Sequence, residues 1–575
     1  MKLDMLFDNF ELLANAPNGV LKLREMILQL AVQGKLVPQG PNDEPASVLL
    51  ENIKAEKEWL IKKKKIKKTK PLPPVSPDEV PYQIPPEWTW TRLDEICSYI
   101  QRGKGPKYVD QSDIPVISQK CVQWDGFKIE RARFVDPSSL KKYAAERFLQ
   151  SGDLLWNSTG TGTIGRVNVY IHEDNLYQKV VADSHVTVVR PIMINSRFLF
   201  TFLASPTIQD GFEERASGTT NQIELNTSKV KNQIIPIAPI QEQKRIVAKV
   251  DQLIAFCDEL EVSKQKRNET RVALNGAALD RLLNAENPNE FKKHWKRIVS
   301  NFDMLYDNPE NVNKLRLAIL QLAVQGKLVS QHPEDEPASV LIEKIKTKKE
   351  RLIKEGKIKK TKPLPPIDVS EMSFHLPNGW EWFRIGETAK LVEYGTSHKA
   401  SSDDSGVPIL RMNNIQKGQL SFEKLKYVPK SIKDLPRLYL KKNDILFNRT
   451  NSYELVGKSG IFKGENDIFA FASYLIRVSF FKDQIDPDYV NIALNSAYFR
   501  KTQIEPEITQ QCGQANFNGT KLKNSLVPIP PSQEQNRIIS RVEQLMKLCD
   551  SLEVKLSKSQ SDRDELLSAI SALGT

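Results

Sequence analysis

The clearest pattern of apolar and polar positions along the chain lies near residue 250 and again near residue 545. Apolar residues follow one another in steps of four and three at Ile246, Val250, Leu253, Cys257 and Leu260, and at Ile538, Val542, Leu545, Cys549, Leu552 and Leu556. Such steps define the a and d positions of a coiled-coil heptad. The pattern turns polar around Arg267 and Arg563 and is expected to resume at Leu274, and at Leu566, Ile570 and Leu573. It predicts two long helices that pack antiparallel, the first over about 242–283 and roughly 60 Å long.

Shorter periodic segments precede each long helix. The first has apolar residues at helical spacing, at Val20, Leu23, Ile27, Leu30 and Ala31. It stops at Gly34, and glycine is common just after a helix end. A second helix is predicted to begin at Pro45 and to run into lysines 62–65, after which TKPLPP forms a stiff, extended linker. The lysines could contact phosphate, although such runs commonly form a solvated helix face.

Two segments with a different pattern separate these helices. Short β-branched and aromatic runs, such as VVADSHVTVVRP and FASYLIRVSF, alternate with glycine, asparagine and serine. They predict compact domains of mixed α/β or mostly β structure with long loops. A short helix is expected near 196–203 in the first domain and near 488–500 in the second.

An internal repeat organises the chain, because the framework sequences return 292 residues later. QLAVQGKLV at 29–37 recurs at 321–329, TKPLPP at 69–74 recurs at 361–366, and Gln-Glu-Gln at 241–243 recurs at 533–535. Residues 99–226 and 391–518, the equivalent segments of the two repeats, share only scattered identities. Either one scaffold presents two readers with different targets, or these segments drifted after duplication. The first interpretation is favoured, because drift alone should have blurred the framework as well.

The predicted fold class is α+β, with two mixed α/β domains in a pseudo-twofold arrangement joined by two long antiparallel coiled-coil helices. Five segments are expected along the chain. They are a helical framework with its linker (1–80), a first divergent domain (81–235), a central helical spacer with the repeated framework and linker (236–376), a second divergent domain (377–527) and a C-terminal spacer helix (528–575).

Composition narrows the class of protein. The 575 residues are 40% hydrophobic and 27% charged, which is typical of a folded chain with several domains. No apolar run approaches the roughly 18 residues of a membrane span, and the first residues do not follow the pattern of a signal peptide, so the protein is expected in the cytoplasm. The net charge of +12 favours a polyanionic partner. Five cysteines without a CxxC pair argue against a disulfide framework or structural zinc.

Motifs that resemble catalytic sites fail in their context. Gly160, Gly162 and Gly165 satisfy GxGxxG, but the following VNVYI predicts a strand where a dinucleotide-binding site needs a helix. Gly457, Lys458 and Ser459 imitate the end of a Walker A motif, yet serine stands where the first glycine is required. The sequence has no NPPY-type tetrapeptide, HExxH motif or nucleophile elbow. The chain is therefore predicted to be non-catalytic and to bind no metal or cofactor itself.

The loops of the two divergent domains carry the remaining signal. Arg, Lys, Asn and Gln pair with guanine and adenine edges, while Ser and Thr contact phosphates. In the first domain the candidate DNA-binding residues are Arg102, Lys104, Lys107, Gln119, Lys120, Trp124, Asn157, Thr159, Thr161 and Arg166. In the second domain they are Tyr394, Thr396, Ser397, His398, Lys399, Arg411, Asn413, Asn414, Asn448, Arg449 and Asn451. Turns are polar for other reasons, so each set is a stronger prediction than any single member.

These features together resemble the DNA-specificity subunits of type I restriction-modification enzymes. PIAPIQEQKRIVAKVDQLIAFCDELE and PIPPSQEQNRIISRVEQLMKLCDSLE follow the two divergent domains, and a proline turn before Gln-Glu-Gln is a fairly specific signature. The resemblance covers nearly the whole chain. YGTSHKA with GVPILRMNNI, and DILFNRTNSYELVGK, are similar to one of the recurrent recognition-domain types.

The resemblance implies a subunit without catalysis of its own, in which each target-recognition domain reads one half of a bipartite, asymmetric site in double-stranded DNA. The paired helices would set the gap between the halves. Two modification subunits, which bind S-adenosylmethionine and methylate adenine N6, would dock on the chain, and restriction subunits that use ATP and Mg would join them. The segments 41–81 and 331–374 are longer than this architecture needs, and their role is open.

Two hypotheses of other classes accompany this one. A fused enzyme that recognises and also modifies or cuts DNA is disfavoured by the missing motifs. A duplicated coiled-coil scaffold for proteins alone would explain the long helices but not the basic loops, and duplex binding that weakens steeply with salt would exclude it.

Overall fold

The computed structural model describes residues 10–574 apart from 17, 161, 175, 211–223 and 512. The chain divides into two units. The first contains the described residues up to Arg267 and from Ser559 onward, and the second is Asn268–Lys558. Among the described residues, no helix combines the length and the apolar character that crossing a membrane requires.

The helices of the first unit follow the predicted pattern closely. They are α1 (Phe10–Ala14), α2 (Gly19–Val32), α3 (Ala46–Lys62), α4 (Ser196–Leu203), α5 (Pro206–Gln209), α6 (Thr227–Asn232) and α7 (Ile240–Leu283), which continues into the second unit. Gly34 has a φ of +66°, the left-handed conformation that ends a helix most easily with glycine. Pro45 stands one residue before α3, outside the helix rather than in its first turn.

The strands of the first unit build two four-stranded sheets, a hairpin and a closing pair. They are β1 (Thr89–Arg92), β2 (Cys97–Arg102), β3 (Tyr108–Val109), β4 (Pro115–Ile117), β5 (Val122–Gln123), β6 (Gly126–Phe127), β7 (Arg133–Val135), β8 (Leu154–Asn157), β9 (Val167–Val169), β10 (Val181–Ala182), β11 (Val186–Pro191) and β12 (Ile234–Ile237). One sheet is antiparallel in the order β2-β11-β8-β9, and the other has the order β10-β4-β7-β3. Strand β1 pairs antiparallel with β12, so the first and last strands of the domain close it.

The second unit repeats this plan with a larger sheet. Its helices are α8 (Pro288–Ser300), α9 (Phe302–Leu305), α10 (Pro309–Val324), α11 (Ala338–Lys354), α12 (Ile385–Thr388), α13 (Pro487–Leu494), α14 (Gly519–Asn524) and α15 (Ser532–Gly574), of which the last extends beyond the unit. A π-helical turn, Phe499–Ile504, follows α13, so the helix expected near 488–500 is shorter than predicted.

The strands of the second unit are β13 (Glu381–Arg384), β14 (Leu391–Tyr394), β15 (Val407–Leu410), β16 (Ile415–Gln416), β17 (Gln419–Leu420), β18 (Lys426–Val428), β19 (Ile445–Asn448), β20 (Thr450–Asn451), β21 (Ser459–Ile461), β22 (Ala470–Phe471), β23 (Leu475–Ser479), β24 (Thr509–Gln511), β25 (Gln514–Asn516) and β26 (Leu526–Ile529). Six of them form one sheet in the order β14-β23-β19-β21-β17-β16, and β13 pairs with β26 as β1 pairs with β12. Both units mix sheets with helices, so the predicted α+β class is confirmed.

Each long helix shares an apolar core with the shorter helix whose sequence is repeated. In the first unit, Leu23 and Ile27 of α2 belong to one core with Ile246 and Cys257 of α7. In the second unit the equivalent residues, Leu315, Ile319, Ile538 and Cys549, belong to one core with each other. Burial raises the pKa of the Cys257 thiol to about 11, as expected for a cysteine that serves as a small apolar side chain.

The stripe of buried apolar residues on the long helices does not resume at the positions that the heptad count predicts. Leu274 is 47% exposed and Leu566 is 45% exposed, whereas Asn275, Leu279 and Leu282 are buried. The buried stripe of α7 is therefore shifted by one residue after the polar stretch. An ideal helix drifts by roughly 20° per heptad relative to a strict 3.5-residue repeat, so the interior face moves off the predicted positions. Ile570 and Leu573 have no described side chains.

Buried arginines tie each domain to its proline-rich linker. The Arg92 guanidinium donates to the carbonyl oxygens of Pro73 (2.7 Å) and Asn232 (3.2 Å). Arg384, 292 residues later, donates to the equivalent carbonyls of Pro365 (2.8 Å) and Asn524 (2.7 Å). The TKPLPP segment is therefore held against the domain that it precedes.

The turn that contains Gly160, Gly162 and Gly165 does not have the geometry of a dinucleotide site. It connects β8 to β9, which pair antiparallel, with Leu154 opposite Val169. Gly160, Gly162 and Gly165 have φ values of +101°, +73° and +86°, which side chains other than glycine rarely adopt. The prediction that a strand follows these glycines is confirmed.

Candidate nucleic-acid interface

A tyrosine and an arginine stack at the edge of the largest sheet in the second unit. Tyr394 ends β14, and its hydroxyl accepts a 2.7 Å hydrogen bond from the backbone N–H of Gly519. The Arg449 guanidinium lies 4.9 Å from the centre of the Tyr394 ring. Tyr394 is partly exposed, and the structure gives Arg449 no carboxylate partner among the described residues. The pair forms a flat cationic surface of the kind that stacks on bases or contacts phosphate.

The loop after this strand borders a groove with a basic rim. Thr396 is buried, and its hydroxyl donates a 2.6 Å hydrogen bond to Asp434, which fixes the start of the loop. Ser397, His398 and Lys399 follow and are exposed. Residues 429–434 form the opposite wall of the groove. This wall brings a further exposed cation, Lys433, which the loop composition did not single out.

A short 3₁₀ turn presents Asn413 and hides Asn414. The buried Asn414 side chain accepts a 3.0 Å hydrogen bond from the Arg411 N–H and donates to the Ser421 and Glu423 carbonyls. Arg411 is partly buried, and its guanidinium donates a 3.3 Å hydrogen bond to the carbonyl of Lys424. Asn413 is exposed and remains available to a ligand. Asn414 and Arg411 therefore shape the loop that carries Asn413.

Two asparagines at equivalent strand ends lie inside the domains. Asn157 is 0% exposed and donates to the carbonyls of Gln119 (3.0 Å) and Thr163 (3.2 Å). Asn448 is 1% exposed and donates to the carbonyl of Leu455 (3.1 Å). Neither side chain is exposed enough to contact DNA. Both amide groups instead donate hydrogen bonds to backbone carbonyls and stabilise the turns that follow β8 and β19. Asn451, further along the second turn, is partly exposed.

The remaining loop residues of the first unit brace one another. Arg102 forms an ion pair with Glu224 and donates to the carbonyls of Ser158 (3.3 Å) and Leu225 (3.2 Å). Arg166 donates to the Gln123 side chain (2.7 Å) and to the carbonyl of Gly162 (2.8 Å). The Thr159 hydroxyl donates to Gln119 Oε1 (3.3 Å). These contacts make the turn a rigid platform. Thr161 lies outside the described residues.

The other candidate residues of the first unit are exposed cations and one aromatic ring. Lys104, Lys107 and Lys120 are exposed. Lys107 lies 3.0 Å from Asp136, and its hydrogen bond lowers the pKa of that carboxyl to about 2. Trp124 is 46% exposed at the tip of the β5–β6 hairpin. An exposed tryptophan at a hairpin tip is suited to stacking on a base or inserting into a groove.

The two sets of loop residues thus separate into exposed and buried members. The exposed members carry different chemistry in the two units: lysines and a tryptophan in the first, and a Tyr–Arg stack with Ser, His, Lys and Asn in the second. Within the described residues, no three His, Cys, Asp or Glu side chains are grouped so that they could hold a metal ion. The geometry suits non-covalent binding of a polyanion.

Comparison with known protein families finds two matching regions in the chain. The family model described as type I restriction modification DNA specificity domain matches residues 85–269 and again 377–559. The type I restriction enzyme EcoAI specificity subunit of Escherichia coli is 34% identical over 560 residues, which cover 96% of this chain and 93% of that protein. The EcoEI specificity subunit of the same species is 32% identical over 574 residues, with 96% and 93% covered.

Two solved structures to which the chain is partly similar carry related descriptions. One, described as the structural basis of complex assembly and conformational transition of the type I R-M system, has a TM-score of 0.49 at 17% identity, covering 86% of this chain and 99% of its own. The HsdS subunit from Thermoanaerobacter tengcongensis has a TM-score of 0.43 at 17% identity, covering 86% and 98%.

Proposed function

The chain belongs to the type I restriction modification DNA specificity family, and we propose that each of its two divergent domains reads one half of a bipartite, asymmetric site in double-stranded DNA. It is a specificity subunit and not a catalytic one, and it works with DNA and with the other subunits of a restriction-modification complex. The modification subunits supply S-adenosylmethionine and adenine-N6 methylation.

The observation that carries this proposal is the contrast between a repeated frame and loops that are not repeated. Arg245 binds Asp43 at 2.6 Å, and Arg537 binds Asp335 at 2.5 Å, so the same ion pair recurs 292 residues later. The loops on these frames expose different donors and apolar surfaces. Sequence is read through such donors and apolar contacts at base edges. Two readers with different surfaces on one frame therefore recognise two different half-sites.

Exposure divides the candidate residues between two roles. The exposed or partly exposed side chains contact DNA: Lys104, Lys107, Lys120 and Trp124 in the first domain, and Tyr394, Ser397, His398, Lys399, Asn413, Arg449 and Asn451 in the second. The buried or braced ones hold the loops in place: Arg102, Gln119, Asn157, Thr159, Arg166, Thr396, Arg411, Asn414 and Asn448. A positioning residue is expected to affect every contact of its loop, and a contact residue only one.

Exposed apolar positions on the long helices support docking of two modification subunits. Phe256 and Leu548 are exposed at equivalent positions of α7 and α15, and so are Val262 and Val554. The half-exposed pair Leu274 and Leu566 recurs in the same way. Apolar side chains left exposed at the same positions of both repeats are candidate contacts for a protein partner. Because each position occurs twice, the partner binds twice. The paired helices also set the gap between the half-sites, and restriction subunits complete the complex.

Replacement of one domain tests this function directly. Residues 99–226 are exchanged for those of another family member, the chain is assembled with its modification subunits, and methylated adenines are mapped in genomic DNA. One half of the methylated site should change, while the other half and the gap are unchanged. The reciprocal exchange of 391–518 is the matched control and should change only the other half. Methylation in which both halves changed together would contradict the proposal.

A further inference from the structure

A basic decapeptide, KIKKTKPLPP, occurs twice without a single difference, at 65–74 and at 357–366. Its lysines are concentrated in residues 65–70 and 357–362, the two basic segments. This identity contrasts with the adjoining domains, which have diverged. A function that depends on the basic segments must therefore be the same for both halves of the molecule, whatever each half reads.

Both ends of each basic segment are fixed by hydrogen bonds. At the amino-terminal end the Lys65 N–H donates to the carbonyl of Leu60 (2.9 Å), and the Lys357 N–H donates to that of Leu352 (2.9 Å). At the other end the prolines are held by Arg92 and Arg384, which are both buried. The segments are therefore fixed surface features of each unit.

The lysines between these anchors are exposed and uncompensated. Lys67, Lys68 and Lys70, and their equivalents Lys359, Lys360 and Lys362, are all exposed. Among the described residues, no carboxylate lies within ion-pair distance of these six ammonium groups. In the first unit the nearby Asp94 is already paired with Lys231 at 3.4 Å, and glycine, Gly386, replaces it in the second. Each segment thus adds three free positive charges.

A short helix joins each basic segment to the DNA-reading loops. In the first unit, α6 begins after Leu225, whose carbonyl binds Arg102, and it ends at Asn232, whose carbonyl binds Arg92. In the second, α14 begins at Gly519, which donates to Tyr394, and it ends at Asn524, which binds Arg384. Six residues at 1.5 Å make each helix about 9 Å long. The same arginine therefore holds both the end of this helix and the prolines that follow the lysines.

We propose that each basic segment binds the DNA backbone beside the half-site read by its own domain. The lysines contact phosphates without reading sequence. A lysine is a compact point charge, suited to phosphate but not to bidentate recognition of a base. The phosphate backbone is the same at any half-site, which accounts for identical segments next to divergent readers. This inference rests on the proposed function, and it assigns a role to linkers that the minimal architecture does not require.

Three neutral substitutions in one segment test the inference. K359Q/K360Q/K362Q is made in the full chain, and K292Q/K293Q/K296Q on the exposed face of α8 is the control with the same change in charge. Binding to a duplex with the recognised site and to a scrambled duplex is measured over a salt series, with and without modification subunits. K67Q/K68Q/K70Q repeats the test in the first unit.

The segment variants should weaken binding to both duplexes by the same factor, roughly tenfold or more, because a phosphate contact is independent of sequence. The slope of log K against log salt should fall by about two to three, at roughly 0.9 per lost contact. The site preference should not change. Hydroxyl-radical footprints should lose protection beside the affected half-site only.

An affinity and slope equal to those of the α8 control would overturn the inference. So would a segment variant that failed to assemble with modification subunits while its DNA slope was unchanged, since the segment would then be a protein-docking surface. These results are separable from failure of the proposed function. If the unmodified complex showed no site preference at all, sequence recognition itself would be wrong, whereas a normal preference with unchanged slopes would reject the basic segments alone.

Discussion

The indole Nε1 of Trp88 donates a 3.0 Å hydrogen bond to the carboxylate of Glu242, and both side chains are buried. Trp380 and Glu534 form the same bond at the same distance in the second unit. Glu242 is the central residue of the repeated Gln-Glu-Gln signature. The neighbouring Gln243 accepts from the Asn195 N–H (3.0 Å) and donates to the Ala238 carbonyl (2.8 Å). The Gln-Glu-Gln signature therefore fixes the start of each long helix to its recognition domain through buried hydrogen bonds.

Removal of the indole donor should destabilise each unit. Trp380→Phe keeps an aromatic ring but leaves the buried Glu534 carboxylate without this partner, which should cost about 1–3 kcal/mol. The free energy of unfolding in urea measures the loss, and Trp88→Phe should behave similarly in the first unit. Trp59→Phe, at a half-exposed position, is the control and should change little. Equal effects at all three positions would show that ring size matters and the hydrogen bond does not.

The same two carboxylates should make stability depend on pH. Burial is the main cause that raises the pKa of Glu242 and Glu534 above the ordinary 4.5. A folded-state pKa above the unfolded one means that the folded protein holds more protons, so stability falls as pH rises from about 4.5 through the raised pKa.

Glutamine at both positions should flatten this part of the pH profile, since it keeps an oxygen for the indole but cannot ionise. Glu242→Gln/Glu534→Gln should therefore gain stability relative to the unsubstituted chain as pH rises. Urea unfolding over a pH series measures this, with Glu269→Gln on the exposed surface of α7 as the control. An unchanged difference in stability across the series would show that these carboxylates do not contribute.

The loop asparagines should fall into two classes of variant. Asn448→Ala removes a buried donor to a turn carbonyl, so it should destabilise the second unit by roughly 1–3 kcal/mol and weaken all contacts of that loop. Asn413→Ala leaves the fold intact and should relax one base position, at about 1–3 kcal/mol if a bidentate contact is lost. Methylation-site sequencing and urea unfolding separate the two. If Asn413→Ala also destabilised the fold, its assignment as a contact residue would be wrong.

The division between these asparagines shows where sequence reasoning ends. Helical period and a fixed 292-residue repeat located both long helices, because burial of one helix face leaves a regular pattern of apolar residues. The burial of Asn157 is not marked by any periodic pattern in the sequence. Its acceptor on Gln119 is 38 residues away in the chain and is brought close only by the fold. Asn157 was therefore predicted to contact DNA, whereas its side chain is buried and stabilises a turn. The Trp88–Glu242 bond spans 154 residues and was equally hidden.

Charge introduced on the exposed apolar positions should disrupt assembly without affecting DNA binding by the chain alone. Phe256→Glu and Leu548→Glu would each place a carboxylate in a desolvated interface, and each should abolish binding of one modification subunit. Mass measurement of the assembled complex counts the bound copies. Lys249→Glu, at a partly exposed position of α7, is the control. A complex of unchanged mass in both apolar variants would place the docking surface elsewhere.

The length of the two long helices should set the gap between the two half-sites. Arg267 donates to Asn15 at 2.6 Å, whereas Arg271 pairs with Asp307, so α7 is anchored in the first unit before residue 268 and in the second after it. One heptad inserted between these two arginines, with another near Arg563 in α15, turns the apolar stripes on the two sides by only about 20° relative to each other. Seven residues at 1.5 Å add about 10 Å, close to three base pairs at 3.4 Å each.

The gap between methylated half-sites should therefore grow by about three base pairs, while both half-site sequences are retained. Three base pairs also rotate the duplex by roughly a third of its ~10.5 base-pair turn. If that rotation were not accommodated, methylation would be lost while binding of each isolated half-site was preserved, which a titration with half-site duplexes would detect. Insertion of two heptads, close to six base pairs, provides a second rotational setting. An active variant that still methylated the original spacing would show that the helices dock modification subunits but do not measure the gap.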